Sequence, residues 1–264
     1  MKLSTPVALL TASFLICLDA CKPHLPAQES PPCALLNFRV INKTTDPLLA
    51  NVREEPLVID GKSLKVGEST RATFTFDSQN RPISSTFTAY GYSDYNRSET
   101  FDYSPAKLTV KTSYPSGGAS EATFPLNDKG LVADVKYNAD GFAVEENTDS
   151  YRTTTTIENG NIVRRETRKV ADNSLFSVVR YEYDLNRQNL PNVAPHKGKN
   201  SRNLPIKETY LSYSGATGTP VPTTTVYDYS YLFDSNGRPS RRYNKLGDGT
   251  GTYEVSEYEY ICRQ

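Results

Sequence analysis

The chain has 264 residues, with 30 basic and 30 acidic side chains, and its formal net charge is zero. Zero net charge without a cluster of lysine or arginine argues against nucleic acid as the partner. Tyrosine is abundant at 18 residues, whereas tryptophan is absent and the one methionine is Met1. Aromatic and β-branched residues favour strands, so this composition indicates an all-β protein.

Residues 1–20 have the pattern of a signal peptide. Lys2 supplies a positive charge, and residues 7–18 form an apolar run that is too short to cross a bilayer as a helix. Leu18-Asp19-Ala20-Cys21 then resembles a bacterial lipobox, whose cysteine is lipidated and begins the mature chain. Asp19 departs from that motif, and ordinary signal-peptide cleavage is the alternative. We expect lipidation at Cys21 and export to the cell envelope, at the outer membrane or cell surface, so that the membrane is a partner through the lipid.

The proline-rich residues 21–32 indicate a tether between the lipid and a single β domain, residues 33–264. Of the four cysteines, Cys17 leaves with the signal peptide and Cys21 is the lipid site, so Cys33 and Cys262 remain. An exported compartment permits a disulfide between these two, which would join the ends of the domain. Two independent buried thiols are the alternative.

Five segments end a β-type run with the same kind of turn. Each reads apolar-x-apolar, then Asp or Asn, then a loop rich in Asn, Asp or Gly, residues that tolerate the positive φ of a tight hairpin. The segments are 74–82, 124–131, 135–142, 181–187 and 231–239. The turn residues Asp77, Asp102 and Asn127 are 25 apart, and Asn159, Asp184 and Asp234 follow at intervals of 25 and 50. The turn that would divide the interval of 50 between Asp184 and Asp234 is expected near Ser214-Gly215. A repeat of two strands and two turns fits this period, although any β-rich protein can scatter such turns.

Alternation of apolar and polar residues indicates antiparallel strands with one buried face at 177–183, 223–231 and 253–260. The sequence thus predicts an all-β domain, a long antiparallel meander of about 12–14 strands that curls into a roll or open barrel, because flat open sheets rarely exceed about 10 strands. Hairpin turns are expected at 80–81, 127–130, 138–141, 159–160, 184–187 and 235–237. Residues 188–206 are the longest irregular segment, which indicates a functional lid or an insertion.

The aromatic-Asp turns, the two-strand period and the lipobox together resemble YD/RHS-type repeats. More narrowly, they resemble secreted lipoproteins of unknown function from Gram-negative bacteria that carry degenerate versions of these repeats. Phe233-Asp234-Ser235-Asn236-Gly237-Arg238 is closest to the full pattern, and the chain ends, as in those proteins, in an alternating aromatic strand with a cysteine, Cys262. The resemblance covers about residues 68–262. It implies a β-meander and no established activity.

Motifs for catalysis and for metal binding are missing from the sequence. The two histidines, His24 and His196, lie in the tether and in the proline-rich segment, and we expect His196 to be solvated rather than a general base. Glu257 and Glu259 share one face of a strand and could serve glycoside chemistry, but alternating Tyr and Glu is ordinary on a solvent-facing strand. The sequence predicts no enzyme, no cofactor and no metal site.

Two functional classes remain. In the first, the protein is an envelope lipoprotein with a binding or scaffolding role, and its tyrosine-rich sheet face or residues 188–206 contact a glycan or protein ligand. In the second, the curled sheet is a half-barrel that carries an apolar or lipid cargo. That second role needs an unfilled apolar cavity, and the composition, 37% apolar with many tyrosines, leaves few side chains beyond the core.

Lipidation at Cys21 is testable in a Gram-negative host by metabolic labelling with a fatty-acid analogue. The wild-type protein should take up the label and Cys21→Ala should not, because the thiol is the expected attachment point. Equal labelling of both proteins would contradict the lipobox interpretation.

Overall fold

The computed structural model describes residues 33–43, 50–57, 62–213, 222–246 and 253–262. The signal peptide, the tether, Cys21 and the turn expected at Ser214-Gly215 lie outside these ranges. The described residues form one sixteen-stranded sheet in which every pairing is antiparallel. Their helical segments are two three-residue 3-10 turns, Ser93–Tyr95 and Pro195–Lys197, and neither could span a membrane. The all-β antiparallel prediction is confirmed, with more strands than the 12–14 expected.

The strands follow one another through short connections in most of the chain. The first eight are β1 (Cys33–Lys43), β2 (Ala50–Leu57), β3 (Lys62–Phe76), β4 (Pro82–Ala89), β5 (Arg97–Tyr103), β6 (Lys107–Ser113), β7 (Ala119–Pro125) and β8 (Lys136–Tyr137). The next eight are β9 (Ala143–Asn147), β10 (Tyr151–Glu158), β11 (Asn161–Lys169), β12 (Leu175–Gln188), β13 (Asn203–Ser212), β14 (Thr223–Phe233), β15 (Pro239–Leu246) and β16 (Tyr253–Cys262).

The sheet is a meander except around β1 and β2, which depart from the order of the chain. Its order runs β7-β6-β5-β4-β3-β1-β16-β15 and then back along the chain to β8, while β2 pairs with β3 off this path. The first strand therefore lies between β3 and the last strand of the domain. The two edges, β7 and β8, are consecutive in the sequence, so the meander begins and ends at the same segment of chain.

The sheet is curled, as contacts across it demonstrate. Strands β5 and β12 stand eight positions apart in the sheet order. At about 4.8 Å per strand, a flat sheet would separate them by about 38 Å. Yet His196, in the loop that follows β12, lies 3.4 Å from the Tyr103 hydroxyl on β5, measured from Nδ1. The curl brings β5 opposite the loop that follows β12.

Two hairpin turns share one hydrogen-bonding pattern, headed by Asp77 and Asp234. In each, Oδ1 accepts the backbone N–H groups two and four residues later, and Oδ2 accepts Nε of an arginine, Arg81 or Arg238, at 2.8 Å. Burial alone would raise the pKa of each aspartate, but these hydrogen bonds hold both pKa values below the usual range. The third residue after the aspartate takes positive φ, as Asn80 (57°) and Gly237 (76°).

Five of the six predicted hairpin turns are confirmed. Asn127 and Asn138 replace the aspartate in two of them, and Asn159-Gly160 joins β10 to β11. The turn predicted at 184–187 is wrong, because these residues lie inside β12 as a bulge between the Asp184–Leu204 and Gln188–Asn203 pairs. Asp184 does accept the N–H of Asn186, but no residue of this bulge takes the positive φ that would reverse the chain. Asp102, expected at a turn, lies within β5.

The two faces of the sheet differ in chemistry. The inner face, which we define as the face that the 189–202 loop covers, carries aromatic pairs two residues apart: Phe74 and Phe76, Tyr181 and Tyr183, Tyr231 and Phe233. The outer face carries ion pairs, including those of Glu257 and Glu259 with Arg39 and of Glu257 with Arg241. The tyrosines of these pairs therefore face inward and are largely covered.

The inner tyrosines also satisfy backbone carbonyls. The hydroxyls of Tyr183, Tyr231 and Tyr260 donate to the carbonyls of Ile162, Pro205 and Pro239 at 2.5–2.7 Å. Each acceptor follows a turn or loop and pairs at a register shift of its ladder. Burial raises the pKa of these three phenols, so they remain protonated donors at neutral pH.

A disulfide joins Cys33 to Cys262, the first residue of β1 and the last of β16. The two residues are direct partners in the β1–β16 ladder, with Cα atoms 4.1 Å apart. The guanidinium of Arg238 donates to both sulfur atoms through one nitrogen. Of the two alternatives left open by the sequence, the structure contains the bridge.

We expect Cys262→Ser to lower the free energy of unfolding by about 2–4 kcal/mol, because the bridge closes a loop across 229 positions of sequence. Denaturant unfolding followed by circular dichroism measures the change. Cys33→Ser should show the same loss and the double variant no further loss, since all three remove one bond. An unchanged midpoint in Cys262→Ser would contradict a stabilising role.

Candidate functional site

The loop of residues 189–202, called here the crossing loop, occupies the inner side of the curl. Its own asparagines hold its shape: Asn189 binds the carbonyl of Ser201, and Asn192 binds the carbonyl of Gly198 at 2.7 Å. Asn203, at the start of β13, exchanges two hydrogen bonds with Asn161 on β11. A polar loop of this length is thus ordered by side chain to backbone bonds, which compensate for the absence of a strand partner.

His196 attaches the crossing loop to the opposite wall. Its side chain is 7% exposed and lies beside Phe101 and Tyr103, and its carbonyl accepts the N–H of Val132 at 2.9 Å. Burial, with a smaller contribution from the charge of Lys197, lowers the pKa of His196 to about 4. The expectation of a solvated histidine is wrong, because the loop folds back into the curl instead of extending into solvent.

A pocket of about 670 Å³ lies between the crossing loop, the turns after β8, β10 and β14, and the disulfide. Its volume falls within the range of about 300–1,000 Å³ that is usual for small-molecule sites. Cys33 and Tyr260 contribute to one wall and Phe142 to another. The sequence placed a possible functional element at 188–206, and residues 188–192 and 199–202 of that segment line the pocket.

Six polar side chains that line this pocket make no hydrogen bond or ion pair with the described part of the protein. They are Asp140, Gln188, Lys199, Asn200, Arg202 and Asn236. Asn189 and Asn192 also line the pocket but bind the loop backbone, whereas these six side chains are exposed to solvent. Uncommitted donors and acceptors gathered around a formed cavity are the usual arrangement of a ligand site.

Arg238 is a fixed part of the pocket wall. It bonds Asp234 through Nε, contacts both sulfur atoms of the disulfide, and lies over the ring of Tyr260 at 5.0 Å from the ring centre. With these partners its guanidinium is held in one orientation. The predicted disulfide cysteines therefore lie at the edge of the site, through Arg238, although no sequence pattern connected them to it.

The paired carboxylates considered from the sequence lie elsewhere. Glu257 and Glu259 are on the outer face, where hydrogen bonds from Asn37 and the charge of Arg39 hold the pKa of Glu259 below its usual value. Asp140 is the one carboxylate among the six uncommitted side chains. The pocket thus lacks, within the described residues that line it, the second carboxylate that glycoside hydrolysis requires.

No protein-family model matches the chain, and no curated protein matches it in sequence. Among solved structures, the chain is similar to a porin-like protein from Bacteroides uniformis, at 12% identity and a TM-score of 0.43, covering 86% of this chain and 98% of that one. It is also similar to a porin-like protein from Bacteroides vulgatus, at 14% identity and a TM-score of 0.36, covering 87% and 99%. Both scores are low, and nothing about this protein is inferred from them.

The burial of His196 predicts a specific loss of stability in acid. The folded pKa of about 4 lies below the ordinary value of 6.5, so between these pH values the unfolded chain binds a proton that the folded chain does not. Stability is complete above pH 6.5 and falls as the pH approaches 4. Between pH 7 and pH 5 the loss attributable to His196 should be about 2 kcal/mol.

Urea unfolding at pH 7 and pH 5 measures this loss of stability. The variants His196→Gln and His24→Gln are compared with the wild type. His196→Gln should lose most of the pH dependence, whereas His24→Gln, in the expected tether, should keep it. A wild-type pH dependence in His196→Gln would show that other groups cause the acid sensitivity.

Proposed function

We propose that the protein is a lipid-anchored binding protein of the cell envelope that holds a polar saccharide in the pocket beneath the crossing loop. The observation that carries this proposal is the set of six uncommitted polar side chains around a formed cavity. The crossing loop is tied down by its own asparagines and by His196, so the cavity is formed before a ligand arrives and little ordering is needed on binding.

The chemistry of these six groups favours a saccharide. Gln188, Asn200 and Asn236 each present a donor and an acceptor on one planar group, which matches a hydroxyl that both donates and accepts. Their amides come from different parts of the chain, the end of β12, the crossing loop and the β14–β15 turn. A ligand with hydroxyls on several sides would engage all three, whereas an extended peptide offers its polar groups along one line.

The alternative role, carriage of an apolar or lipid cargo, fits the molecule less well. The inner face is occupied by tyrosines whose hydroxyls are bound to backbone carbonyls, and half of the residues that line the pocket carry amide or charged groups. An apolar ligand would leave these groups without water or partners, at a cost of about 1–3 kcal/mol each. We therefore propose binding without catalysis and without apolar cargo.

The location and relationship of the protein belong to the same proposal. The lipobox-like Cys21 supports lipid attachment, and a disulfide supports an oxidising compartment outside the cytoplasm. The recurrence of the Asp-headed turn with its arginine, at 77–81 and 234–238, supports kinship with the degenerate YD/RHS-like repeats. On this reading the protein is an exported β-meander lipoprotein whose domain displays the pocket beyond a short tether.

Saccharide binding is testable with the full chain, purified from the envelope in detergent, on an array of envelope and extracellular glycans, followed by calorimetry on the best binder. The double variant Asn200→Ala/Asn236→Ala should weaken that binding by about tenfold, because two hydrogen bonds of about 0.5–1.5 kcal/mol each are removed.

The matched control is Gln79→Ala, which removes an exposed amide in the equivalent turn of β3–β4, outside the pocket. It should bind as the wild type does. Absence of any glycan binding, with capture of a peptide or of lipid instead, would overturn the proposal.

A further inference from the structure

Two of the six uncommitted side chains, Lys199 and Arg202, are cationic and come from the crossing loop. In the part of the chain that the structure describes, neither has an acidic oxygen within 4.0 Å. The acid that lines the same pocket, Asp140, is not ion-paired with either of them. The chain as a whole has equal numbers of acidic and basic residues, so this unpaired positive charge is a local property of the pocket.

The backbone of each cationic residue is bound to a glycine in a hairpin turn. The N–H of Lys199 donates to the carbonyl of Gly141 at 2.9 Å, and the N–H of Arg202 donates to that of Gly160 at 2.8 Å. Both glycines sit at hairpin turns with positive φ, 89° and 78°. A Cβ added to Gly141 would lie 4.0 Å from the Lys199 stem, and one added to Gly160 would lie 3.5 Å from Arg202. Each cationic side chain therefore lies in contact range of a turn glycine.

Arg238, the third cation that lines the pocket, has its charge paired within the protein. Arg238 is neutralised by Asp234 and packed on the disulfide and Tyr260. Lys199 and Arg202 lie in the crossing loop beside the turns at Gly141 and Gly160, and their side chains lack such a partner. Both cations are exposed to solvent and unpaired, so an anion that enters the pocket can bind them without displacing a carboxylate.

We infer that the saccharide carries an anionic substituent, a carboxylate or a sulfate ester, and that Lys199 and Arg202 bind it. This inference rests on the proposed function and specifies its ligand class. Arg202 can pair with either group through two parallel N–H bonds, and Lys199 adds a point charge. The three free amides then contact the hydroxyls, so that charge selects the sugar and the amides orient it.

The test uses calorimetry on the full chain with matched probes. One pair is an oligogalacturonate tetramer and its carboxyl-reduced, neutral counterpart; another is a galactose oligosaccharide with and without 6-sulfate; inorganic phosphate is the free-anion probe. The charged member of at least one pair should bind about tenfold more tightly than its neutral counterpart. That preference should shrink as salt is raised from 50 to about 500 mM.

The variants Lys199→Gln and Arg202→Gln should each reduce the preference for the charged member and together abolish it, while affinity for the neutral member stays within about twofold. Lys129→Gln, an exposed lysine in the turn after β7, is the matched control and should change neither affinity. Retained circular dichroism and thermal midpoint in all four variants confirm folding.

The outcomes separate the two proposals. Equal binding of charged and neutral members overturns the anionic preference and leaves saccharide binding standing. Binding of phosphate alone, or of none of the probes and no other glycan, overturns both. A charge preference that persists unchanged in the double variant overturns the assignment to Lys199 and Arg202.

Discussion

The structure depends on a turn in which a carboxylate at the end of a strand binds the arginine that closes the turn. At Asp77 and Asp234 one oxygen accepts two backbone N–H groups and the other accepts the guanidinium. The turn is thereby complete within five residues and needs no support from distant chain. Because the arginine is held along its length, its flat group is oriented back toward the sheet.

That orientation links each turn to the inner face. Arg81 lies over Tyr103 at 4.5 Å from the ring centre and Arg238 over Tyr260 at 5.0 Å, and in the bulge of β12 Arg187 lies over Phe233 at 4.4 Å. Guanidinium groups stack well on aromatic faces. Tyr260, below Arg238, in turn donates its hydroxyl to the carbonyl of Pro239, which pairs at a register shift. A chain without tryptophan can therefore cover its inner face with tyrosine and arginine, which explains the tyrosine-rich composition.

Features determined by neighbouring residues could be predicted from the sequence, and features determined by distant contacts could not. Hairpins such as 234–238 follow from Asp, Asn and Gly within five residues, and alternation placed β12, β14 and β16. The burial of His196 depends on Tyr103, 93 residues away, and on the curl of a sixteen-stranded sheet. Nothing local distinguishes such a histidine from one exposed in a proline-rich loop.

The pocket could not be predicted from the sequence for a related reason. Asn189 and Asn200 are alike as residues in one loop, yet the first bonds the loop backbone and the second is free to meet a ligand. The difference arises from which carbonyls the folded loop leaves within reach. The disulfide was open to prediction as a pairing because the expected signal peptide and lipid site account for two of the four cysteines, but its place beside Arg238 at the pocket edge was not.

The candidate site lies where the repeated pattern is interrupted. At β12 the expected turn becomes a bulge, and the chain runs on into the crossing loop before β13 begins. Tyr103 on β5 lies under Arg81 as Tyr260 lies under Arg238. The hydroxyl of Tyr103, however, contacts His196 of the crossing loop. A regular meander satisfies its own polar groups and offers little to a ligand. The interruption adds the fourteen residues of the crossing loop, 189–202, and the pocket is lined by side chains of this loop that have no partner within the described protein.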